Sequence, residues 1–268
     1  MRARAKQDQP QTELCVIPPD SVYRGPENQL YRVEVHQGGK ADGTATGATI
    51  KWSRENGSVI FPILDIAVTG STQTRVTLAT LGRDLRLGLQ ESDWVEIVDD
   101  DGVLHNRVSP LLKVSNIDRD SLVATLDGIT PVTNAGNNKI LRRWDQQGDA
   151  NFGGAIPIVE HDDTDAGLTE AWTDVEDGVQ IWFARGGDYR TGDYWLIPAR
   201  TATGDVEWPH ELNPDGSERL DVNKNPVGAE LPARGPRHHY APLARGVFEP
   251  TAVPSDCRCT IQRITVCP

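Results

Sequence analysis

Residues 23–36 read YRGPENQLYRVEVH and residues 51–61 read KWSRENGSVIF, and a glycine-rich loop separates the two segments. In the first segment Tyr31, Val33 and Val35 alternate with arginine, glutamate and histidine. Successive side chains of a strand point to opposite faces, so this period of two predicts a β-strand with one buried face.

The second segment contains Asn56-Gly57, the dipeptide that most strongly favours a tight hairpin turn. Apolar residues lie on both sides of it, which predicts a hairpin between the flanking strands. We therefore expect the opening part of the chain to hold these strands: Leu30–His36, Thr49–Arg54, Ser58–Ala67 and Thr74–Thr80.

The composition is typical of a β-rich protein. The 268 residues include 25 Gly, 18 Pro and seven Trp but one Met, which suits many turns and short strands better than a helical bundle. The length allows one large domain or two small ones. The predicted fold class is mainly β, with several short-stranded antiparallel sheets, a small SH3-like or OB-like barrel and little helix.

The net charge is −12, from 27 basic and 39 acidic residues. Binding to nucleic acid or to an anionic membrane surface depends on clustered Lys and Arg, so the charge argues against both. No segment approaches the ~18 consecutive apolar residues of a membrane helix. The N-terminus is basic without the apolar core of a secretory signal, which predicts synthesis in the cytoplasm.

The organisation along the chain predicts four parts. Residues 1–20 form a polar lead-in or linker, 21–83 an N-terminal β segment, and 84–129 the small barrel-like module. Residues 139–268 form a C-terminal β segment, with a long proline-rich loop at 209–236. No internal repeat at a fixed spacing is apparent.

Three local signals refine this division. Asp177-Gly178 predicts a second hairpin, and Tyr194–Arg200 is the most apolar strand of the C-terminal half. Leu85, Leu87 and Leu89 alternate ahead of a strand that ends at the Asp-rich segment 99–102, which predicts a turn. Asp-rich turns form without calcium, because Asp tolerates the left-handed region and bonds to its own backbone.

The cysteines do not predict a metal site. Cys257 and Cys259 are separated by one residue, which is closer than the Cys pairs typical of structural zinc. Cys15 and Cys267 could join them if the termini meet, or some of the four could form a disulfide. Without a secretory signal, reduced cysteine is the expected state. We expect no metal and no cofactor.

Two groups of residues could form a site. His238 and His239, with Asp205 and Glu207, would suit proton transfer in a carbohydrate-active hydrolase or lyase. The aromatic and acidic side chains in and after the apolar strand could instead bind a glycan by stacking and hydrogen bonding, and they are Asp193, Tyr194, Trp195 and Trp208. The chain has none of the nucleophile, nucleotide-binding or zinc-protease motifs that would favour catalysis.

A further group of polar residues lies at the ends of the opening strands. Its members are Arg24, Glu27, Asn28, Arg54, Glu55 and Asn56. We expect them to hold turns and cap backbone groups through ion pairs and hydrogen bonds.

Three blocks of sequence resemble a family of bacterial proteins of unknown function. The blocks are residues 23–36 with 51–61, residues 88–99 with LRRWD at 141–145, and residues 189–209 (YRTGDYWLIPARTATGDVEWP) with HHYAPL at 238–243. The resemblance implies a context near genes for phage-tail-like contractile injection particles, and the chain resembles the C-terminal part of such a protein. It implies no catalytic residues.

Taken together, these features favour a non-catalytic structural or binding domain. The expected partners are proteins of a phage-tail-like assembly or a surface glycan, with no nucleic acid and no membrane. The particle could be extracellular or cytoplasmic. The hydrolase or lyase with His238 and His239 is the alternative.

Overall fold

The computed structural model describes residues 1–6, 22–44, 46–84, 86–105, 107–164, 172–235, 244–245 and 255–256. The chain forms two compact units, Met1–Gly235 and Pro236–Pro268. In the described ranges no helix is long and apolar enough to cross a membrane.

Most of the regular structure is β, as the composition predicts. The strands are β1 (Arg2–Ala5), β2 (Gln29–Gln37), β3 (Thr49–Ser53), β4 (Ile60–Thr69), β5 (Gln73–Leu78), β6 (Trp94–Val98), β7 (Leu111–Asp118), β8 (Val123–Asp127), β9 (Ile140–Trp144), β10 (Ile156–Pro157), β11 (Glu160–His161), β12 (Thr173–Glu176), β13 (Val179–Ala184), β14 (Tyr194–Arg200), β15 (Asp205–Val206), β16 (Ala244–Arg245) and β17 (Ser255–Asp256). The helical elements of the described residues are α1 (Asp100–Leu104) and a 3₁₀ turn (Ala150–Phe152). In the second unit β16 pairs with β17.

The central sheet of the first unit has five strands in the order β10-β3-β2-β14-β15. Its middle strand β2 pairs antiparallel with β3 and with β14, and its bounds agree with the predicted ones to within one residue. The alternating pattern places Tyr31, Val33 and Val35 on one buried face. Trp195 and Ile197 of β14 join them in the same core.

The small sheet consists of β1, β11, β12 and β13, with β13 pairing with each of the others. The hairpin predicted at Asp177-Gly178 is present between β12 and β13, and both turn residues are left-handed, with φ of 49° and 84°. Ala3, Ile181 and Phe183 pack on the buried face of the central sheet. The two sheets therefore share one hydrophobic core.

The barrel is closed by six antiparallel strands in the order β4-β5-β8-β7-β6-β9. Alternate positions of these strands fill its interior, as the period of two requires. The buried residues that do so include Phe61, Ile63, Leu78, Ile97, Leu126 and Leu141.

The barrel uses more of the chain than the segment 84–129 in which the sequence places it. That segment contains β6, β7 and β8, and β4, β5 and β9 close the ring from outside it. Three strands alone would leave an apolar face and two edges open, whereas closure buries the face and removes the edges. The alternation before β6 does not form a strand in the described residues, where Leu89 is buried in a loop and Leu87 is exposed.

The turn at Asn56-Gly57 is present, but the hairpin predicted from it is wrong. Both residues are left-handed, with φ of 54° and 66°. However, β3 pairs with β2 and β10, and β4 pairs with β5 and β9. Both strands therefore already have a neighbour on each side, and the turn instead leads the chain from the central sheet into the barrel.

The Asp-rich segment after β6 starts a short helix where the sequence predicts a turn. Asp99 is the N-cap of α1, and its Oδ1 accepts a hydrogen bond from the N–H of Gly102 at 2.8 Å. Asp at an N-cap satisfies one of the free N–H groups of the first turn. The carboxylate thus has a structural role at this position.

Residues 209–228, which we call the knob, have more order than the predicted loop. They contain two tight turns, Asn213–Ser217 and Asp221–Asn225, each closed by an N–H of the first residue donating to the carbonyl of the last (2.8 and 2.9 Å). The fourth residue of each turn, Gly216 and Lys224, is left-handed, with φ of 85° and 66°. Equivalent residues of the two turns are eight positions apart in the sequence.

The longer-range hydrogen bonds of the knob follow the same spacing. Arg219 N–H donates to Glu211 O, Val227 N–H donates to Arg219 O, and Glu211 N–H donates to Val227 O, at 2.8, 2.9 and 2.8 Å. These bonds form a closed ring. The knob is therefore a short internal repeat that sequence reading missed, because its period is far below the roughly 20–50 residues of familiar repeats.

A buried arginine anchors the knob to the small sheet. Arg2 is 2 % exposed, and its guanidinium lies 2.7 Å from Glu211 and 3.1 Å from Asp163. Arg219 reaches the same two carboxylates, at 3.2 and 3.3 Å. Two arginines and two carboxylates therefore hold the knob against β1.

The polar face of β2 and β3 is also buried, where it meets the barrel. Lys51 is 4 % exposed, and its Nζ lies 2.7 Å from Glu96 of β6 and 3.3 Å from Glu34 of β2. Trp144 Nε1 donates to the same Glu96 oxygen at 3.0 Å, and its ring lies 4.5 Å from Lys51 Nζ. This lysine cluster joins the central sheet to the barrel.

His36 is buried beside the lysine cluster. The register of β2 against β3 shifts between Val35 and Gln37, so His36 lies in a β-bulge. In the described part of the structure its Nδ1 has no hydrogen-bond partner. Burial and the nearby Lys51 lower the pKa of His36 to about 3, against the opposing effect of Glu34.

We predict that Lys51→Met will strongly destabilise the protein. The substitution leaves the buried Glu96 and Glu34 without their shared cation, and breaking a buried pair costs roughly 3–5 kcal/mol. Urea denaturation will measure the loss. Lys40→Met is the matched control, because Lys40 is 67 % exposed and its pair with Asp188 is worth about 0–1 kcal/mol. Equal losses in the two variants would contradict the assignment.

We predict that His36 makes the stability fall with acid in a defined range. The pKa of His36 is lower in the folded state than in the unfolded chain, so below pH 6.5 the histidine is protonated in the unfolded chain and neutral in the folded protein. The free energy of unfolding therefore decreases as pH falls from 6.5 towards 3. His36→Gln should reduce the slope of the free energy of unfolding between pH 6 and pH 4 by up to about 1.4 kcal/mol per pH unit. An unchanged slope in His36→Gln would refute the prediction.

Candidate functional site

Most of the polar residues predicted to be structural lie near the end of β3, where the chain leaves the central sheet for the barrel. Arg54 N–H donates to Asp145 Oδ2 at 3.0 Å, and its guanidinium donates to Glu176 at 2.7 Å. Arg86 forms ion pairs with Glu55, at 3.5 Å, and with Glu27. These pairs connect the segments next to β2, β3 and β9 with β12 and with the loop between β5 and β6.

The remaining members of that group have more local contacts. Asn28 Oδ1 accepts a hydrogen bond from Thr201 N–H at 3.0 Å. Arg24 N–H donates to the carbonyl of Asp177 at 3.1 Å, and Asn56 is exposed in its turn. The structural role of the whole group stays a prediction that mutation can test.

Glu176 has the most perturbed carboxylate of this network. Burial raises its pKa to about 7, against the lowering effect of Arg54, while Asp177 and Asp145 add to the increase. Because the folded-state pKa is raised, the stability that Glu176 contributes decreases as pH rises from 4.5 through 7. Oε2 of Glu176 has no hydrogen-bond partner in the described residues, and neither does the buried hydroxyl of Tyr31.

We predict that Arg54→Ala will lower the free energy of unfolding by about 3 kcal/mol, because it removes the cation that faces Glu176 and Asp145. A thermal melt will show the change. Arg185→Ala is the control, because Arg185 is 68 % exposed and its ion pair with Asp162 is worth about 0–1 kcal/mol. A melting temperature that is unchanged in Arg54→Ala would argue for a surface role.

Two of the predicted binding residues have their rings in the core. Trp195 is 5 % exposed and Trp208 is 7 % exposed. Their indole N–H groups donate to backbone carbonyls, Trp195 to Leu231 at 3.0 Å and Trp208 to Ala229 at 2.8 Å. In this conformation their faces are committed to packing, although each contributes atoms to the wall of a surface cavity.

The other two predicted binding residues are half-buried. The guanidinium of Arg32 covers the ring of Tyr194, with Cζ 3.6 Å from the ring centroid. Asp193 follows a turn in which its N–H donates to Arg190 O at 3.1 Å, and its carbonyl accepts from Val35 N–H at 2.8 Å. Their part in binding stays a prediction.

Of the four acid–base residues expected in the alternative enzyme, the structure describes Asp205 and Glu207. Asp205 lines a cavity, whereas Glu207 is exposed and pairs with Arg200 at 2.8 Å. The hydrogen bond from Arg200 lowers the pKa of Glu207, so this carboxylate is ionised at neutral pH and unsuited to donate a proton. His238 and His239 lie outside the described residues.

Cavity A lies beside the turn that follows β13 and has a volume of about 350 Å³. Its lining includes Arg185, Tyr189, Arg190, Asp193, Trp195 and Glu230. It is open, and it combines aromatic rings with charged groups of both signs. Of the predicted residues, it brings together Asp193 and Trp195.

The turn at the mouth of cavity A is fixed by a carboxylate. The N–H groups of Gly186 and Gly187 donate to the two oxygens of Glu160, each at 2.8 Å, and Tyr189 OH donates to the same group at 2.9 Å. Burial, and then the bond to Glu160, raise the pKa of Tyr189. Tyr189 is therefore held as a neutral hydroxyl, with its ring edge-on to Phe183.

Cavity B lies between β1, β15 and the knob, also with a volume of about 350 Å³. Its lining includes Arg4, Lys6, Asp205, Trp208, His210 and Asn225. His210 Nδ1 lies 2.8 Å from Glu218, and Arg4 stacks on Trp172 at 4.0 Å. Of the predicted residues, cavity B brings together Asp205 and Trp208.

No group of three or more His, Cys, Asp or Glu side chains in the described residues is arranged to hold a metal ion. The four cysteines lie outside the described residues, so their predicted state remains untested.

The whole sequence was also compared with known proteins. A model of a family of unknown function, DUF6519, matches residues 1–267. The chain belongs to this family. No curated protein matches it, and no solved structure does.

In this member of DUF6519, sequence reading missed the residues that shape cavity A. Glu160 lies in a two-residue strand without a pattern, and Arg185-Gly186-Gly187 reads as an ordinary turn. The one available signal was the pair of adjacent glycines, since consecutive free N–H groups in a turn can bind an anion. Nothing in the sequence indicates that the anion is a carboxylate of the same chain.

Proposed function

We propose that this chain is a non-catalytic binding domain, an accessory component of a phage-tail-like particle that contacts a surface glycan or a protein partner. The particle context comes from the sequence resemblance alone. The observation that carries the binding role is cavity A, which joins aromatic rings and charged groups in one open depression.

The composition of cavity A suits a glycan. Its volume of about 350 Å³ lies at the lower end of the roughly 300–1,000 Å³ of ligand pockets. The half-buried Tyr189 presents a ring with a fixed hydroxyl, and rings of this kind pack against the apolar face of a sugar. Arg190 and Asp188 are exposed at the rim, where they can form charge-assisted hydrogen bonds to hydroxyl groups.

Glu160, which contacts Tyr189 of cavity A, has a structural role and is not a candidate for the catalytic acid. Glycoside hydrolysis uses two carboxyl groups, one of which must donate a proton. The carboxylate that contacts Tyr189 has both oxygens occupied by N–H and O–H donors from the turn. A group that holds the turn in this way is poorly placed to exchange protons with a substrate.

We predict that the purified chain will bind a subset of glycans on an array and that mass spectrometry will detect no released product. Arg190→Ser should weaken that binding by about tenfold or more, the loss expected for one charge-assisted contact. Arg119→Ser is the matched control, because Arg119 is exposed on the turn between β7 and β8, and it should bind as the wild type does.

Three results would change or overturn the proposal. Product masses that appear with a bound glycan would make the chain an enzyme. Equal binding by Arg190→Ser and wild type would move the site away from cavity A. Absence of any binding would remove the glycan and leave the protein partner.

A further inference from the structure

Glu176 belongs to an irregular strand at the edge of the small sheet. Among the described strands β12 pairs with β13, and its register shifts between Asp174 and Glu176, which marks a β-bulge. Successive side chains of a regular strand point to opposite faces. Here Val175 packs on the core shared with the central sheet, and Glu176 contacts Arg54, which follows β3. The bulge therefore directs two successive side chains towards the central sheet.

The carboxyl group of Glu176 has a protein partner at one of its two oxygens. Oε1 accepts a hydrogen bond from Arg54 at 2.7 Å. Oε2 is buried and has no hydrogen-bond partner in the described residues. Burial of an unpartnered oxygen costs an ionised carboxylate more than a neutral carboxyl group, because a buried charge loses its hydration. This environment therefore favours the protonated form of Glu176.

The groups around Glu176 offer little compensation for its negative charge. Those that face it from the neighbouring elements are Tyr23, Tyr31, Arg54, Arg86, Asp145 and Asp177. Arg54 is shared with Asp145, whose Oδ1 lies 3.6 Å from its Nε and 3.1 Å from Arg143. Arg86 is paired with Glu27 and Glu55. Neither arginine that faces Glu176 is thus available to it alone.

The hydroxyl of Tyr31 lies in the same region and is also buried without a hydrogen-bond partner. Burial raises the pKa of Tyr31, so this group stays neutral and does not compensate a charge on Glu176. Two unpartnered polar groups, one on β2 and one on β12, therefore face the contact between the two sheets. Unpartnered buried groups of this kind make a contact easier to open.

We propose that Glu176 is a pH-sensitive latch between the small sheet and the central sheet. In its protonated form it keeps β12 closed against Arg54. Loss of the proton favours a local opening of β12, in which water solvates both carboxyl oxygens. This device is separate from glycan binding at cavity A, whose lining includes no residue of β12.

The direction of the effect follows from the two states of the latch. Burial raises the pKa of Glu176 to about 7 in the closed state, whereas in the open state the pKa returns towards the ordinary 4.5. Opening between pH 4.5 and pH 7 therefore releases a proton, so a rise in pH over this range favours the open state. Below and above the range both states carry the same charge, and the opening equilibrium no longer depends on pH.

Hydrogen exchange with mass spectrometry on the full chain tests the latch. The quantity measured is the protection of residues 172–178 relative to β8 of the barrel, from pH 5 to pH 8, corrected for the intrinsic exchange rate. The ratio separates a local opening from a change in global stability, such as the one expected from His36. We expect it to fall by up to about tenfold per pH unit as pH rises towards 7, and then to level off.

Glu176→Gln removes the titration and keeps an oxygen that can accept from Arg54. This variant should make the ratio independent of pH, and at pH 8 its β12 should be protected about tenfold or more above the wild type. Glu91→Gln is the matched control, because Glu91 is exposed in the loop before β6, and it should show the pH dependence of the wild type.

Infrared difference spectra of wild type and Glu176→Gln at pH 6 supply a second measurement. They should show the carbonyl stretch of a protonated carboxyl group in the wild type, and its absence would overturn the proposal. A wild-type ratio that does not change between pH 5 and pH 7 would also overturn it, whether or not the variant folds. So would a pH dependence that persists in Glu176→Gln, since another group would then titrate.

Discussion

The buried Lys51 is the constraint on which the packing of the first unit depends. It belongs to the central sheet, and it reaches Glu34 of its own sheet and Glu96 of the barrel. A buried ammonium group is tolerated when carboxylates surround it, so the sheet and the barrel can meet only where both contacts form. The lysine cluster thus ties the position of the barrel against the central sheet to one set of buried ion contacts.

The sequence predicts the parts of this architecture that depend on neighbouring residues and misses those that depend on residues far apart in the chain. The period of two in β2 and the apolar run of β14 were sufficient to place both strands, because alternation reports a local property of the chain. The same pattern predicts one buried face for β2, whereas Glu34 and His36 of the opposite face are buried as well. Glu34 looks like a solvent-facing residue until its partner is known, and Glu96 lies 45 residues beyond Lys51. Whether a polar face is buried depends on the element that packs against it in the folded protein, and the alternating pattern of one strand does not identify that element.

The two glycine-containing turns show the same limit. Asn56-Gly57 and Asp177-Gly178 have similar left-handed geometry, and only the second joins paired strands. A turn fixes the direction of the chain over a few residues, while pairing depends on whether each strand has a free edge. β12 is an edge strand that needs β13, whereas β3 and β4 each find two partners elsewhere. The turn chemistry was therefore predictable, and its use for connecting a sheet to a barrel was not.

The exposure of the candidate site residues also depends on contacts with distant parts of the chain. Sequence reading selected Asp193, Trp195, Asp205 and Trp208, and the structure distributes them over two cavities, with the indole rings mostly in the core. Tryptophan in a strand is driven inward by its apolar area, so its presence near polar residues says little about access. The knob is the opposite case. Its proline and turn residues suggest an unstructured loop, yet repeated turns, a ring of backbone hydrogen bonds and a buried arginine give it a fixed shape. Order without a large core leaves apolar side chains of the knob exposed, as Leu212 and Leu220 are.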